Sequence, residues 1–376
     1  MARRFTMPPP PSGTFDTNYP PVEKSHDKQP NITKYGKTNL GDLQYDTVFG
    51  KKRKSRKPKE IDPSVVITDN GKVHLNRINY DYLFKDQVHN KGEVKQKSFG
   101  RVPYYGQAHI IASFKTSRKL GEISKIWPIS GDRAWVNSYG DTYLTLIDKK
   151  GNRLTMTQDF GHRIWDFVIN GKSRMLLTVD RSAHIHAISS NGELSVAGHF
   201  PGYQPYGICV MMDGNTLVCI RPLVGTKGPA RLVTISINGE VLKYFDTRAD
   251  DTPLFTEPYS VSSISNGKMF VRDGASKVVC VDTKGTHLYT WTGQSFDREE
   301  DFLPSCLSSD AHGSLIVSSR DANKVYILPI AGKGLRCLLD ASHGMEHPLG
   351  MGVDAEGHLW VACKGRKIHI VKYLSL

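Results

Sequence analysis

Five glycines recur at nearly constant spacing through most of the chain and constrain its fold more than any other feature. They are Gly151, Gly192, Gly239, Gly285 and Gly332, and their successive spacings are 41, 47, 46 and 47 residues. Each glycine stands in a turn that follows a short strand rich in β-branched residues. A repeat of about 45 residues that holds four short antiparallel strands is typical of a β-propeller blade.

The pattern predicts an all-β fold with six blades. One predicted strand precedes each turn glycine or ends the chain, in segments 143–148, 184–188, 231–237, 277–282, 324–328 and 367–372. A second predicted strand lies upstream of each, in segments 133–136, 175–179, 216–220, 268–271, 314–317 and 358–361. A β-sandwich is the competing interpretation, but it would not show self-similarity over about 45 residues.

The last repeat lacks a fourth strand, while an unassigned strand at His109–Phe114 precedes the first repeat. Pairing that strand with the C-terminal segment would close the ring and remove the exposed sheet edges. We therefore expect the two ends of the repeat region to share one blade.

The 376 residues divide into three predicted regions. Residues 1–60 are expected to be a disordered basic arm, since they carry proline, lysine and polar residues without a sustained hydrophobic period. Residues 61–107 form a predicted linker with a candidate β-hairpin around Asn70-Gly71. Residues 108–376 form the predicted propeller. Of the formal net charge of +13, residues 1–107 contribute +9.

A basic run within the arm holds seven positive charges in nine residues: Lys51, Lys52, Arg53, Lys54, Arg56, Lys57 and Lys59. Such a run attracts an acidic receptor groove, nucleic acid or anionic lipid. A nuclear-localisation signal and a solvated basic linker are both consistent with it. We expect a cytoplasmic protein that the run could direct to the nucleus.

The six cysteines exclude ordinary zinc-finger modules, because none precedes Cys209 and no two stand at C-x-x-C spacing. They are Cys209, Cys219, Cys280, Cys306, Cys337 and Cys363. Their apolar, strand-like flanks predict reduced thiols in the core. That usage is typical of a cytosolic or nuclear protein.

Sequence motifs give no support to an enzyme, a cofactor or a small-molecule substrate. G-x-S-x-G, H-E-x-x-H and the Walker A sequence are all missing. His184 with His186, and His343 with His347, are candidate metal ligands, but they are pairs, and a zinc site needs three or more. No apolar run approaches the roughly 20 residues of a membrane-spanning helix, and the N-terminus lacks the apolar region of a secretory signal. We expect a non-enzymatic protein without a metal and without membrane insertion.

Basic and aromatic residues recur where the blade pattern places one edge of the ring. In a four-stranded blade, the loop from the second to the third strand lies on the same edge as the loop that enters the next blade. The candidate binding residues at this edge are Tyr139, Arg163, Trp165, Arg181, Tyr206, Arg221, Lys227, Tyr259, Arg272, Arg320 and Lys364. Five of the six blades contribute a basic residue, which predicts a positive ring.

Two kinds of ligand fit this edge. Basic groups interleaved with aromatic rings suit the phosphates and unstacked bases of single-stranded RNA. Arginine forks equally suit an acidic or phosphorylated peptide. A third interpretation is purely structural: Arg272 could pair with Asp273, and Arg320 with Asp321, which would leave little net field.

Three segments carry a family resemblance: Glu356–Val361, Ile368–Leu374 and Leu288–Gly293. Together they resemble NHL-repeat propellers, and more narrowly the C-terminal propeller of invertebrate tripartite-motif (TRIM-NHL) proteins, over residues 108–376. The resemblance implies recognition of protein substrates or of single-stranded RNA. In that family ubiquitin transfer belongs to upstream RING and B-box modules rich in Cys and His. This chain departs from the full pattern, since its first cysteine is Cys209.

The leading hypothesis from the sequence is therefore protein recognition, with target recruitment for ubiquitin-dependent degradation and a ligase supplied by a partner. The alternative is a post-transcriptional regulator that binds single-stranded RNA.

Overall fold

The computed structural model describes residues 65–68, 71–74, 104–170, 174–292, 302–328 and 334–374. The predicted basic arm, including Lys51–Lys59, lies outside the described residues. Within the predicted linker, β1 (Val65–Thr68) and β2 (Gly71–His74) pair as a two-stranded sheet on either side of the Asn70-Gly71 step. Apart from two short 3₁₀ turns, every regular element of the described residues is a β-strand.

Six four-stranded antiparallel sheets confirm the predicted all-β propeller. Blade 1 comprises β4 (Ile123–Ser130), β5 (Arg133–Ser138), β6 (Thr145–Asp148) and β7 (Arg153–Met156). Blade 2 comprises β8 (Ile164–Ile169), β9 (Met175–Val179), β10 (His184–Ile188) and β11 (Leu194–His199). Blade 3 comprises β12 (Tyr203–Val210), β13 (Thr216–Pro222), β14 (Arg231–Ile235) and β15 (Val241–Phe245).

The remaining blades repeat this order. Blade 4 comprises β16 (Pro258–Ser263), β17 (Met269–Asp273), β18 (Lys277–Val281) and β19 (His287–Trp291). Blade 5 comprises β20 (Pro304–Ser309), β21 (Leu315–Ser319), β22 (Lys324–Leu328) and β23 (Arg336–Leu339). Blade 6 comprises β24 (Met351–Val353), β25 (Leu359–Cys363), β26 (Lys367–Leu374) and, from the other end of the repeat region, β3 (Tyr104–Lys115).

The closing strand pair forms as the sequence predicts. Strand β3 pairs antiparallel with β26, with Phe114 opposite Ile368 and Ala112 opposite Ile370. It is longer than expected, since it begins at Tyr104, ahead of residue 108. The innermost strands β4, β8, β12, β16, β20 and β24 contact one another in ring order, and β24 contacts β4. The ring is therefore closed.

The hydrophobic core consists of six clusters, one between each pair of neighbouring blades. Trp135 of blade 1 and Phe167 of blade 2 share one cluster. Ile126 of blade 1 packs in the same cluster as Trp360 of blade 6, which makes the closing interface as apolar as the others. Burying each such side chain contributes roughly 1.5–3 kcal/mol. Blade–blade contacts therefore supply the stabilisation that one isolated four-stranded blade would lack.

The turn glycines that reveal the repeat adopt left-handed backbone conformations. Gly151, Gly192, Gly239 and Gly285 have φ values of 80°, 84°, 90° and 89°, and Gly332 lies outside the described residues. A β-carbon on Gly239 would stand 1.9 Å from the carbonyl oxygen of Ala197 in blade 2. This glycine is therefore required for the close approach of two blades as well as for the turn.

The cysteines follow the prediction with one exception. All six are free thiols; Cys219, Cys280, Cys306 and Cys363 are buried and Cys209 is partly buried. Cys337 is exposed, which corrects the expectation of a core position. The reason is its place on β23, the outermost strand of blade 5, where one side of the strand faces solvent.

Candidate functional site

One edge of the ring, called here the upper rim, carries both kinds of loop that the sequence pattern places together. It holds the connections from the second to the third strand of each blade, and those from the fourth strand to the next blade. Hydrogen bonds join the two kinds of connection, since Ile164 N–H donates to Asp141 O at 3.0 Å and Asp180 N–H donates to Arg163 O at 2.7 Å. The shared edge is therefore a feature of the fold.

At the boundary of blades 1 and 2, an arginine lies against two aromatic rings. The Arg163 guanidinium carbon lies 3.3 Å from the ring centroid of Trp165 and 5.2 Å from that of Tyr139. Trp165 Nε1–H donates to Asp180 Oδ1 at 3.2 Å, which fixes the indole. Tyr139 is 71% exposed, so most of its ring is accessible to solvent.

The same arrangement continues over blades 3 and 4. The ring centroids of Trp165 and Tyr206 lie 4.7 Å apart, and those of Tyr206 and Tyr259 lie 5.5 Å apart at an interplanar angle of 84°. The guanidinium carbon of Arg221 lies 4.8 Å from Tyr206 and 4.7 Å from Tyr259. Cation–π contacts of this kind hold both partners in place.

These side chains form a continuous structure, the arginine–aromatic ladder, defined by Tyr139, Arg163, Trp165, Tyr206, Arg221, Tyr259 and Arg272. The three aromatic residues on innermost strands come from the same end of β8, β12 and β16. The sequence places all seven on one edge. It does not show that the guanidinium groups and rings stack on one another.

Arg272 has a structural role that the sequence prediction misses. It lies within β17 and not in the following loop. Its Nη1–H donates to the carbonyl oxygen of Pro304 in blade 5 at 3.2 Å, while its guanidinium carbon lies 4.8 Å from the Tyr259 ring. Burial lowers the pKa of this guanidinium. The predicted pair with Asp273 does not form, since the Asp273 carboxylate lies 2.9 Å from Lys277 Nζ.

Equivalent positions in three other blades show the same contact with the next blade. Asn137 Nδ2–H donates to Ile164 O at 2.9 Å, and Ser318 Oγ–H donates to Leu349 O at 2.8 Å. Thr178 Oγ1–H donates to Tyr206 O. A donor on the second strand of a blade thus bonds the backbone at or just before the innermost strand of the following blade. Arg272 belongs to this set as much as to the rim.

Blades 5 and 6 do not continue the predicted positive ring. Arg320 pairs with Asp321 at 2.8 Å, as the structural interpretation of the sequence anticipates, and both side chains are part of the exposed rim. Lys364 pairs with Glu346 at 3.3 Å. Exposed pairs contribute little to stability, but they cancel charge. Among the rim cations of the described residues, Arg163, Arg221 and Arg272, from blades 2–4, contact aromatic rings.

The remaining predicted cations project from turns. Arg181 is exposed and has a positive φ of 56°. Lys227 is exposed in the long connection after β13. That connection is fixed at its base, because Leu223 N–H donates to Gly202 O at 2.9 Å. Val224 in the same connection is fully exposed.

A buried ion pair that the sequence pattern did not indicate lies at the centre of the ring. Lys125 Nζ on β4 lies 3.1 Å from Asp166 Oδ1 on β8, and the two side chains are 11% and 7% exposed. Burial would lower the pKa of Lys125, but the Asp166 carboxylate raises it above the ordinary value. The available signal was a charged residue within the innermost strand of each of two successive blades.

The two histidine pairs have other partners in the structure. His184 lies opposite His199 with the rings stacked at 4.4 Å and 16°, and burial lowers the pKa of His184 and of His186. His343 Nδ1 bonds Asp340 Oδ1 at 2.8 Å. Across the described residues, no group of three or more His, Cys, Asp or Glu side chains converges to hold a metal ion.

Comparison with known proteins gives one relative by sequence. The chain matches none of the known protein families. NHL-repeat-containing protein 4 of Mus musculus is 34% identical over 89 residues, which are 23% of this chain and 60% of that protein. The match thus covers 60% of the length of this curated relative and is a similarity to an NHL-repeat protein over that segment.

Solved structures resemble the ring at low sequence identity. A gluconolactonase from Xanthomonas campestris has a TM-score of 0.54 at 12% identity and covers 72% of this chain and 97% of its own. A putative gluconolactonase has 0.52 at 14% identity, covering 73% and 96%. A streptogramin B lyase has 0.50 at 14% identity, covering 71% and 98%. These likenesses show the fold alone. The described part of the chain contains no helix of the length and apolarity that a membrane crossing requires.

Proposed function

We propose that this propeller is a non-enzymatic protein-recognition module whose ligand lies along the arginine–aromatic ladder. The observation that carries the proposal is the contact of the Arg221 guanidinium with both Tyr206 and Tyr259, whose rings are nearly perpendicular to each other. A guanidinium that contacts two rings is restricted in orientation, so little side-chain entropy is lost when a carboxylate or backbone carbonyl binds. The exposed Tyr139 adds apolar contact area at one end.

Charge distribution favours a protein ligand over RNA. Carboxylates stand among the rim cations, since Glu257 lies 3.4 Å from Arg221, Asp321 pairs with Arg320 and Glu346 pairs with Lys364. A polyanionic strand would meet these carboxylates as well as the arginines. A polypeptide can present both signs and uncharged groups along its length.

The contacts that the aromatic rings of the ladder already make also favour a protein ligand over RNA. A base stacks on a free aromatic face, but the face of Trp165 carries Arg163 at 3.3 Å and the ring also contacts Tyr206. Tyr206 and Tyr259 are engaged by Arg221. Tyr139 is the ladder ring with the most exposed surface.

The finer function follows from the family resemblance. A TRIM-NHL-like propeller would recruit targets for ubiquitin-dependent degradation, with the ligase supplied by a partner, in the cytoplasm or, through Lys51–Lys59, in the nucleus. The mouse relative is named as an NHL-repeat-containing protein, which supports the NHL resemblance on which this proposal rests.

Single-stranded RNA is the second candidate, favoured by the basic run and by Tyr139. One experiment separates the two. Random peptides displayed on phage are selected on the full chain, and random single-stranded RNA is titrated by fluorescence anisotropy at about 50 and about 200 mM salt. The variants are Arg163→Gln with Arg221→Gln, and Lys364→Gln as a control on the same rim.

We expect peptides that bind the wild-type chain and the Lys364→Gln control but not the double variant. RNA affinity should survive the double variant and fall when residues 51–59 are neutralised. Salt-sensitive RNA binding that the double variant abolishes, without peptide selection, would overturn the proposal in favour of RNA.

A further inference from the structure

Resting on the proposed function, we infer that Arg221 is the receptor for a side-chain carboxylate of the partner, and that Glu257 occupies it in the free protein. Arg221 Nη2 lies 3.4 Å from Glu257 Oε1, a long contact made by one nitrogen of the fork. The Glu257 side chain is 49% exposed. A weak contact at the surface can be exchanged for a better one.

The arginine is prepared for a stronger partner than the one it has. Its guanidinium is held by Tyr206 and Tyr259, and 22% of the side chain is exposed. The planar fork can bind a carboxylate through two parallel N–H donors, which is stronger and more directional than a single contact. An incoming Asp or Glu that approached in the plane of the fork would use both donors.

The position of Glu257 is set by its backbone. The buried carboxylate of Asp273 accepts the backbone N–H of Thr256 at 2.9 Å and that of Glu257. Lys277 Nζ lies 2.9 Å from the same carboxylate. Because these contacts hold the main chain, the Glu257 side chain can leave Arg221 while the segment keeps its conformation.

The surroundings favour a carboxylate over a phosphate. Glu257 and Asp180 both lie along the ladder, the first beside Arg221 and the second bonded to Trp165. A carboxylate that takes the place of Glu257 on Arg221 adds one negative charge near these two groups, whereas a phosphate would add up to two. The partner is therefore a peptide segment with an Asp or Glu that enters between blades 3 and 4.

The test uses synthetic fluorescein-labelled peptides derived from the selected phage sequences. Each peptide is made with Asp or Glu at the position that the selection favours, with Asn or Gln there, and with phosphoserine there. Binding to the full chain is measured by anisotropy for the wild type, Arg221→Lys, Arg221→Gln and Glu257→Gln. Far-ultraviolet circular dichroism verifies the fold of each variant.

We expect the acidic peptide to bind roughly tenfold or more tightly than its amide counterpart. Arg221→Gln should remove that preference, and Arg221→Lys should remove most of it, because lysine keeps the charge but lacks the planar fork. Glu257→Gln should tighten acidic peptides by about two- to fivefold, since an exposed competing pair is lost. The matched variant Glu346→Gln, which removes the ion-pair partner of Lys364, should leave the affinity for acidic peptides unchanged.

Equal affinity of acidic and amide peptides would overturn the inference, and so would tighter binding of phosphoserine than of Glu. If one of these results is found and Arg163→Gln still abolishes peptide binding, the rim recognises protein. Only the inference that Arg221 receives a carboxylate is then wrong. If the selected peptides bind without any dependence on the ladder, the proposed function fails as well.

Discussion

The ammonium group of Lys125 lies 3.1 Å from the carboxylate of Asp166, and this contact joins the innermost strands of blades 1 and 2. The same carboxylate accepts the backbone N–H of Ile208 in blade 3 at 3.1 Å. It also accepts the N–H of Phe167 at 2.8 Å. One side chain therefore connects three successive blades at the centre of the ring.

Removing the carboxylate should be costly. Asp166→Asn leaves the buried Lys125 without its counter-charge, and breaking a buried pair in this way destabilises a protein by about 3–5 kcal/mol. The double variant Lys125→Met with Asp166→Asn should recover part of that loss, because no charge is then left unpaired. Urea unfolding, monitored by tryptophan fluorescence, measures the free energy of unfolding of the single and the double variant. A double variant no more stable than Asp166→Asn would show that the uncompensated charge is not the cause.

Much of the fold could be predicted because it depends on local pattern. Turn glycines such as Gly239 mark the blade period, since left-handed turns favour glycine wherever they occur. The pairing of Phe114 with Ile368 follows from a missing fourth strand and a spare strand. Both inferences need only strand periodicity and the rule that sheet edges are covered.

The rest depends on distances between blades, which sequence spacing does not encode. Arg272 and Asp273 are neighbours on one strand, so their side chains point to opposite faces of the sheet, and the contact of Arg272 with Pro304 depends on the adjoining blade. The exposure of Cys337 depends on its strand being outermost. The contact of Arg221 with tyrosines from both blade 3 and blade 4 likewise requires the assembled ring.

Arg272 and Arg221 should respond differently to the same substitution. Arg272→Met leaves the carbonyl of Pro304 without its donor, and a buried unsatisfied group costs about 1–3 kcal/mol. Arg221→Met loses contacts worth about 0.5–1 kcal/mol near the surface. Thermal unfolding should show a clear loss for the first variant and a small one for the second. A larger loss for Arg221→Met would make Arg221 structural and weaken its role as a receptor.

Acid should weaken the closing sheet through His369. Its Nδ1 lies 2.7 Å from Ser113 Oγ across the β26–β3 pair, and burial, together with nearby Lys367, lowers its pKa to about 4. The unfolded chain would bind a proton near pH 6.5. Between about pH 6.5 and about pH 4 the unfolded state therefore binds more protons than the folded state. As the pH falls through this range, the free energy of unfolding decreases by up to about 3 kcal/mol because of this residue.

Two variants isolate this effect. In His369→Gln the titrating group is gone, so the urea midpoint should fall less steeply between about pH 7 and about pH 4.5 than in the wild type. Ser113→Ala should lower the midpoint at every pH but keep the slope, because the buried imidazole remains. Identical slopes for the wild type and His369→Gln would place the acid sensitivity elsewhere.

Alkylation should distinguish one thiol from the rest. Cys337 is exposed, whereas burial raises the pKa of Cys280 and of Cys363 to about 11 and that of Cys209 to about 12. The thiolate is the reactive form, so iodoacetamide at about pH 8 should modify Cys337 first in the native protein. Peptide mass spectrometry reports the site. Prompt labelling of Cys280 in the native chain would mean that blade 4 opens.

The two turns of blade 3 offer a matched test of close packing between blades. Gly214 and Gly239 have φ values of 84° and 90°, but a β-carbon on Gly214 would meet open space, whereas one on Gly239 would meet Ala197 O. Alanine in a left-handed conformation costs roughly 1–2 kcal/mol at either site. Gly239→Ala should cost about 1–3 kcal/mol more, because the backbone of blade 2 has to move. Urea unfolding of the two variants measures the difference directly. Equal losses would mean that the backbone at the interface of blades 2 and 3 shifts with no additional loss of stability. The spacing of the blades that the ladder requires would then have to be set by contacts among the ladder side chains themselves.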